Sequence, residues 1–253
     1  MGDPNFPEIL NVAKQGERIF RCQKLFEDYS RLGLSNEADR PVAIDGLQQR
    51  LLRTMDVKGG FGILEDKEQK GLFRRFLLWC RGSDMGAEPL TRIKFPSDRA
   101  ISFVPSWSWM AYTGRIDYLK LDFAMFDWAD IESPWSSKAE TAQTDPAAAK
   151  IALKAEAQNY EYAPEPFNPH VPVQKEGQII FDNPNHSNPD NTQCVVLGIH
   201  KGEKPVEERM HYLIVVKATN DQTSDGTRIY ERVGAGYLPG RRVKGERVKA
   251  VIH

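Results

Sequence analysis

Three apolar runs in the C-terminal third of the chain decide the fold: TQCVVLGIH at 192–200, MHYLIVVKA at 210–218 and TRIYERVGAGYL at 227–238. Short runs rich in Val, Ile and Tyr are typical of β-strands. The polar stretches between them, KGEKPVEER and TNDQTSDG, have about the length of hairpin connections. The pattern predicts an antiparallel meander, and the near-continuous apolar residues of the first two runs predict strands covered on both faces.

The N-terminal part of the chain has the periodicity of helices. Apolar residues recur every three or four positions between Glu17 and Leu32, which predicts a helix that Gly33 ends with a left-handed cap. A second helix is predicted to begin at Asp39, its N-cap, and a third to span about 68–81. For the basic residues of this third helix, a solvated face is preferred over a surface that grips a phosphate or an acidic partner. These residues are Lys70, Arg74, Arg75 and Arg81.

Helices followed by strands predict the α+β class, with N-terminal helices packed on a mainly antiparallel β-sheet or partial barrel. We expect residues 1–253 to form a single α+β domain. Residues 1–100 are expected to be mainly helical, 101–135 β-rich, 136–190 irregular and 191–253 antiparallel β.

Several segments allow more than one interpretation. AAKIALKAEAQ, at 148–158, fits a helix that follows Asp145-Pro146 and fits a strand by its alternation. FDNPNHSNPDN, at 181–191, is interpreted as a solvent-exposed loop in preference to a calcium site. The basic tail at 241–253 is interpreted as an edge strand in preference to a phosphate or lipid contact. GGFG, at 59–62, is interpreted as a turn, because it lacks the remaining residues of a nucleotide-binding loop.

The stretch VPSWSWMAY, at 104–112, holds two tryptophans two positions apart. As part of a strand covering 101–110, it would place Trp107 and Trp109 on one face and Ser106, Ser108 and Met110 on the other. Buried indoles contribute a large apolar area to a core. A core role is therefore preferred for the pair, and an aromatic platform for a flat ligand or peptide is the alternative.

Composition excludes some classes of function. The 34 Lys and Arg residues balance 35 Asp and Glu residues, which gives no whole-chain attraction to nucleic acid or to an anionic membrane. No apolar stretch approaches the length of a spanning helix, and MGDPNFPEIL lacks the features of a secretory signal, so we expect a cytoplasmic protein. Cys22, Cys80 and Cys194 stand apart and are odd in number, which favours small buried residues over disulfides or a metal knuckle.

Five segments of the chain match motifs that occur together in one known family. In the first, Tyr29-Ser30, Leu34-Ser35, Asp39-Arg40, Ala43 and Gly46 match the pattern V-x-x-Y-S-x-R-x-L-T-x-x-x-D-R-L-x-A-L-x-G. The others are GLFRRFLLWC at 71–80, VPSWSWMAYTGRIDYL at 104–119, CVVLGI at 194–199 and YERVGAGYL at 230–238. Together these segments resemble the region that follows the HET domain in fungal heterokaryon incompatibility proteins. The matches keep the family order over roughly residues 25–238.

The sequence departs from the family in one large respect. The HET domain itself, with its YxALSYxWG and WIDxLCIxQ segments, would precede Met1, and neither segment occurs here. The chain therefore looks like the downstream portion alone. The resemblance implies a role in non-self recognition and programmed cell death, and the activity of the HET domain is not assigned to these residues.

No convincing catalytic constellation occurs in the sequence. There is no G-x-S-x-G elbow, and His170, His186, His200 and His211 mark no triad. His200 and His211 end and begin neighbouring predicted strands, where two ordinary histidines are preferred over a metal pair. We expect no metal and no cofactor.

The leading hypothesis is a non-catalytic regulatory or interaction protein with a protein partner, no nucleic acid and no membrane span. The alternative is a small-molecule-binding protein or an enzyme on the same scaffold, with the tryptophans lining a pocket. The residues expected to form either surface are Trp107, Trp109, Tyr112, Trp128, Tyr29, Tyr118 and Asp117, and Trp135 would extend it.

Overall fold

The structure is a computed structural model that describes residues 15–66, 68, 70–82, 88–97, 101, 103–136, 151–162, 177–184 and 191–253. Within these residues the architecture is α+β, as predicted, with N-terminal helices and a large, mainly antiparallel sheet. The stretches 137–150, 163–176 and 185–190 lie outside the described residues, and with them His170 and His186.

The helices of the described region are α1 (Gln15–Ser30), α2 (Arg40–Met55) and α3 (Lys70–Leu77). The cap predicted at Gly33 is wrong, because α1 already ends at Ser30, whose hydroxyl donates to the Glu27 carbonyl oxygen at 2.6 Å, and Gly33 has no positive φ. Asp39 does occupy the N-cap position of α2, although its side chain makes no capping hydrogen bond. The third helix is shorter than predicted, because the chain leaves it after Leu77 and enters a strand.

Six short strands form three small antiparallel pairs. The first pair is a hairpin whose turn, at Phe61 and Gly62, confirms the turn predicted at 59–62. In the other two pairs, two strands that follow α3 join two strands at and after the end of the segment that contains the tryptophans. In order, the strands are β1 (Lys58–Gly60) with β2 (Ile63–Glu65), β3 (Trp79–Arg81) with β6 (Ile116–Tyr118), and β4 (Thr91–Arg92) with β5 (Tyr112–Thr113).

The large sheet confirms the predicted meander and closes on itself. Its strands are β7 (Phe126–Trp128), β8 (Leu153–Tyr160), β9 (Gln178–Phe181), β10 (Thr192–His200), β11 (Met210–Gln222), β12 (Arg228–Pro239) and β13 (Val243–Ile252). Strands β10, β11 and β12 pair antiparallel in succession. Strand β13 pairs with β12 in parallel and with β8 antiparallel, and β8 meets β10, so five strands form a ring.

Strand β11 is covered on both faces, as its apolar run predicts. Ile214 and Val216 belong to the main apolar cluster, which also contains residues of α1, α2 and α3. Leu213 and Val215 point the other way, into a smaller cluster with Cys194 and residues of β9. The helices and the ring of strands therefore share one core, and the smaller cluster packs against the opposite side of the sheet.

Three predictions for the C-terminal part differ from the structure. Residues 136–190, expected to be irregular, contain β8 and β9. For 148–158, where helix and strand were both open, the residues from Leu153 onward belong to strand β8. The tail is not an edge strand, since β13 lies between β8 and β12. The loop expected to be exposed from residue 181 begins with a buried side chain, because Asp182 pairs with an arginine of β12.

Candidate functional site

The Ser-Trp-Ser-Trp segment is a tight turn, so the strand predicted over 101–110 is wrong. The Ser108 amide donates to the Pro105 carbonyl oxygen at 3.0 Å, and Trp109–Ala111 forms a short 3₁₀ segment. The Ser108 hydroxyl accepts from the Met110 amide at 3.1 Å and donates to the Phe61 carbonyl oxygen at 2.7 Å. The alternation therefore reflects a capped turn, in which the serines are as buried as the tryptophans.

Trp107 and Trp109 lie in the core, as preferred from the sequence, and both are fully enclosed. The Trp109 ring packs against Phe26 and Tyr29, with centroid distances of 5.5 and 6.1 Å. The Trp107 ring packs edge-on against Phe61 at 6.1 Å and against Trp135 at 5.9 Å. Neither indole N–H has a hydrogen-bond partner within the described residues. Enclosed rings of this kind stabilise the core and leave no face for a ligand.

Three of the other predicted site residues, Tyr112, Tyr118 and Asp117, are engaged in separate contacts. Tyr112 is buried, its hydroxyl donates to the Arg232 carbonyl oxygen at 3.2 Å, and burial raises its pKa. Tyr118 is also buried, with a raised pKa, and its ring packs on Phe76 at 5.8 Å. Asp117 is half-buried and lies 3.3 Å from Arg115. These side chains hold separate parts of the fold together instead of lining one pocket.

Tyr29 and Trp128 are the half-buried aromatic members of the predicted set. The Tyr29 hydroxyl donates to the Arg40 carbonyl oxygen at 3.3 Å, which ties α1 to the start of α2. Trp128 stacks on Phe126 with a centroid distance of 5.1 Å. It also lies against the backbone of Gly71 and Gly198, where a β-carbon would come within 2.6 and 2.7 Å of the indole. Both residues are fixed by packing.

A buried ion pair that the sequence analysis missed joins β12 to the end of β9. Arg232 Nη1 donates to Asp182 Oδ2 at 2.5 Å, and Nη2 donates to the Trp79 carbonyl oxygen at 2.5 Å. Burial raises the pKa of the Asp182 carboxyl, and the Arg232 guanidinium lowers it in part. The sequence contained one indication of this pair, because Arg232 stands two positions after Tyr230 on the buried face of β12. Its partner Asp182 is 50 residues away in the chain, so no local pattern links the two.

The two arginines of α3 are buried, so the solvated face predicted for them is wrong. Arg74 Nε donates to the Ala129 carbonyl oxygen at 2.7 Å. Arg75 donates to the carbonyl oxygens of Leu121 and Asp122, at 3.0 and 2.6 Å. Burial lowers the pKa of Arg75 to about 10. Arg75 thus holds the chain segment between β6 and β7 against α3, and Arg74 holds the chain just after β7.

That segment ends in an exposed apolar turn. Phe123 and Met125 are 37% and 41% exposed, and Ala124 between them has a left-handed φ of 62°. The Arg75 guanidinium lies 4.4 Å from the Phe123 ring centroid. Phe20 of α1, itself 47% exposed, meets the Phe123 ring edge-on at 5.0 Å. We call Phe20, Phe123 and Met125 the apolar turn surface.

The histidines and cysteines show no reactive arrangement in the described part of the chain. His211 is buried, its Nδ1 lies 3.0 Å from the Arg209 carbonyl oxygen, and burial lowers its pKa. His200 instead packs edge-on against Phe126. Cys22, Cys80 and Cys194 are free and buried, as predicted. The described residues contain no group of three or more His, Cys, Asp or Glu side chains placed to hold a metal ion.

Comparisons with known proteins supply no relative for this chain. No protein-family model, no curated protein and no solved structure matches it. In the described region, none of the helices has the length and apolar character needed to cross a membrane.

Proposed function

We propose that this chain is a regulatory interaction region of the HET-domain type, which acts in the cytoplasm in heterokaryon incompatibility and programmed cell death. The ordered motifs between residues 25 and 238 support this kinship. The proposed partner is a HET-domain module, whose own motifs are absent from this sequence. The contact is made by the apolar turn surface.

The observation that carries the proposal is that this surface is exposed and held by several contacts, while the tryptophan pair is sealed in the core. Arg75 fixes the turn through two carbonyl oxygens and through the face of the Phe123 ring. Gly16 lets Phe123 lie close to the first turn of α1, because a β-carbon there would come within 2.8 Å of the ring. A surface ordered before binding loses little conformational entropy when a partner docks.

The charges beside this surface neutralise one another. Arg21, next to Phe20, pairs with Glu17 at 2.6 Å, and Asp127, two positions after Met125, pairs with Lys201 at 3.8 Å. Each of these charged side chains beside the surface is thus matched by one of opposite sign. The surface is therefore suited to an apolar patch on another protein.

The size of the surface supports a tethered partner. At about 200 Å² for each side chain, its exposed fractions amount to roughly 250 Å². A stable interface between free proteins needs about 800 Å² on each side. A HET-domain module joined ahead of α1 would enter the fold beside Gly16 and Phe123, where tethering raises its effective concentration.

The alternative of a pocket lined by Trp107 and Trp109 receives no support, since both rings are enclosed. The proposal is tested by expressing a HET-domain module from the same source, fused ahead of this chain as one protein, in a filamentous fungus. We expect cell death, measured by uptake of an impermeant dye, with the wild type and with Val248→Ser. Val248 on β13 is 40% exposed and is a matched control. Phe123→Ser should abolish dye uptake, and equal uptake with both variants, or none with the wild type, would sink the proposal.

A further inference from the structure

A groove of about 380 Å³ runs between the C-terminal end of α2 and Trp135. Its base is apolar and includes Leu52, Val57 and Gly59, while Arg53 and Asp56 stand among the residues that line it. It shares no residue with the apolar turn surface. The volume is at the lower end of the range for small-ligand sites.

The backbone that forms the α2 side of the groove is firmly fixed. Asp56 ends the helix in a left-handed conformation, with φ 53° and ψ 49°. Its amide donates to the Arg53 carbonyl oxygen at 3.4 Å, and the Val57 amide donates to that of Leu52 at 3.1 Å. Asp is among the residues that tolerate this conformation. The positions of Arg53 and Asp56 on the groove are therefore set by the end of the helix.

Trp135 forms the opposite wall and is held from behind. Its amide donates to the Ser133 hydroxyl at 3.2 Å, and that hydroxyl donates to Glu65 of β2. Its ring packs edge-on against Phe73 at 6.4 Å in addition to Trp107. Gly60 leaves room for it, because a β-carbon there would lie 3.1 Å from Trp135 Cζ2.

Three charged residues line the groove: Arg53, Asp56 and Lys58. Lys58 has another interaction in the structure, and Arg53 and Asp56 are not paired with each other. Arg53 Nε donates to the Gln49 carbonyl oxygen at 3.2 Å, and within the described residues its terminal nitrogens have no partner. The Asp56 carboxylate likewise forms no ion pair or hydrogen bond in this part of the chain. The carbonyl end of a helix carries partial negative charge, which adds to the attraction of Asp56 for a cation.

From this arrangement we infer that the groove binds an apolar α-amino acid as its zwitterion. The ligand carboxylate pairs with the Arg53 guanidinium, which suits it by geometry and charge. The ligand ammonium pairs with Asp56, and the apolar side chain packs against Trp135. A ligand with only one of the two charges leaves either Arg53 or Asp56 without a partner, so it binds more weakly.

The test is a titration of the purified chain with L-phenylalanine, followed by the indole N–H resonance of Trp135 in NMR spectra. For so open a groove we expect a Kd on the order of 1 mM. The matched ligands are 3-phenylpropionate, which lacks the ammonium group, and 2-phenylethylamine, which lacks the carboxylate. Each should bind at least about fivefold more weakly than L-phenylalanine, since each loses a charge-assisted contact.

Two variants test which residue of the groove contacts each charge of the ligand. Asp56→Asn keeps the left-handed backbone accessible and should remove the advantage of L-phenylalanine over 3-phenylpropionate. Arg53→Gln should remove its advantage over 2-phenylethylamine, and Arg50→Gln, on the exposed side of α2, should change neither. Thermal melting checks that each variant is folded. Equal affinity for the three ligands, or no shift of the Trp135 resonance at about ten times the expected Kd, would overturn the inference.

Discussion

The Arg232 guanidinium carbon lies 3.2 Å from the centroid of the Trp79 ring, and the same side chain forms the ion pair with Asp182. The side chain of Arg232 is fully buried and that of Asp182 nearly so. The contact joins β12 to the end of β9, 50 residues earlier in the chain, and to β3, where Trp79 lies 153 residues earlier. It stabilises the attachment of the sheet to the segment that follows α3.

Replacing Arg232 alone should lower the free energy of unfolding more than replacing both Arg232 and Asp182. Arg232→Met leaves the Asp182 carboxylate buried without its partner and should lower the free energy of unfolding by about 3–5 kcal/mol. The double variant Arg232→Met, Asp182→Asn should recover part of this loss. Urea unfolding of the three proteins measures both values. A double variant at least as unstable as the single one would contradict the role of the pair.

Replacement by alanine should change the free energy of unfolding in opposite directions at Gly62 and at Gly46. Gly62 has a φ of 76°, and an added β-carbon would lie 2.2 Å from Trp109 Nε1. Gly62→Ala should therefore lower the free energy of unfolding by about 1–3 kcal/mol. Gly46 lies within α2 with no atom within 4 Å of an added β-carbon, so Gly46→Ala should raise it by about 0.5–1 kcal/mol. Thermal unfolding of both variants decides the signs.

Ser108 should matter to stability because it caps the turn that carries the tryptophans. Ser108→Ala leaves the Met110 amide without its partner and should cost about 1–2 kcal/mol. Ser35→Ala, at an exposed serine, should cost less than about 0.5 kcal/mol. Chemical denaturation of both proteins makes the comparison, and equal costs would contradict the capped turn.

The three thiols should be unreactive in the folded protein. Burial raises the pKa of Cys22, Cys80 and Cys194 from 9.0 to about 12. At about pH 8 a disulfide reagent should label none of them until the protein unfolds. Because these pKa values are raised in the folded state, the protonated thiols contribute stability below pH 9.0 that is lost as the pH rises toward about 12. Labelling of the folded protein at the rate of a free thiol would refute this burial.

The sequence was most informative where one local pattern dominated. The runs of β10, β11 and β12 are apolar along their length, and their hairpins follow from short polar connections. The alternation at Trp107 and Trp109 led to the wrong prediction of a strand, because a turn capped by serine hydroxyls can have the same alternation of serine and tryptophan as a strand. Burial does not distinguish the two conformations.

Local sequence patterns did not predict contacts between residues that are far apart in the chain. Arg75 looked like a surface residue of an amphipathic helix, and its acceptors are carbonyl oxygens about 46 residues further along the chain. The groove beside Trp135 depends on the left-handed end of α2 and on two glycines, which the sequence places near one another without indicating a cavity. Both features arise from how the elements pack.

The central claim is that the apolar turn surface binds a HET-domain module. The direct measurement is scanning calorimetry of a fusion that joins the module ahead of the chain, compared with an unlinked mixture of the two proteins. The fusion should melt at a higher temperature than the mixture, because tethering raises the effective concentration of the module. Phe123→Ser should remove most of this rise, because an exposed aromatic anchor at the centre of a contact carries much of its affinity. Val248→Ser should melt like the wild-type fusion. No rise in the wild-type fusion, or the same rise in both variants, would contradict the claim.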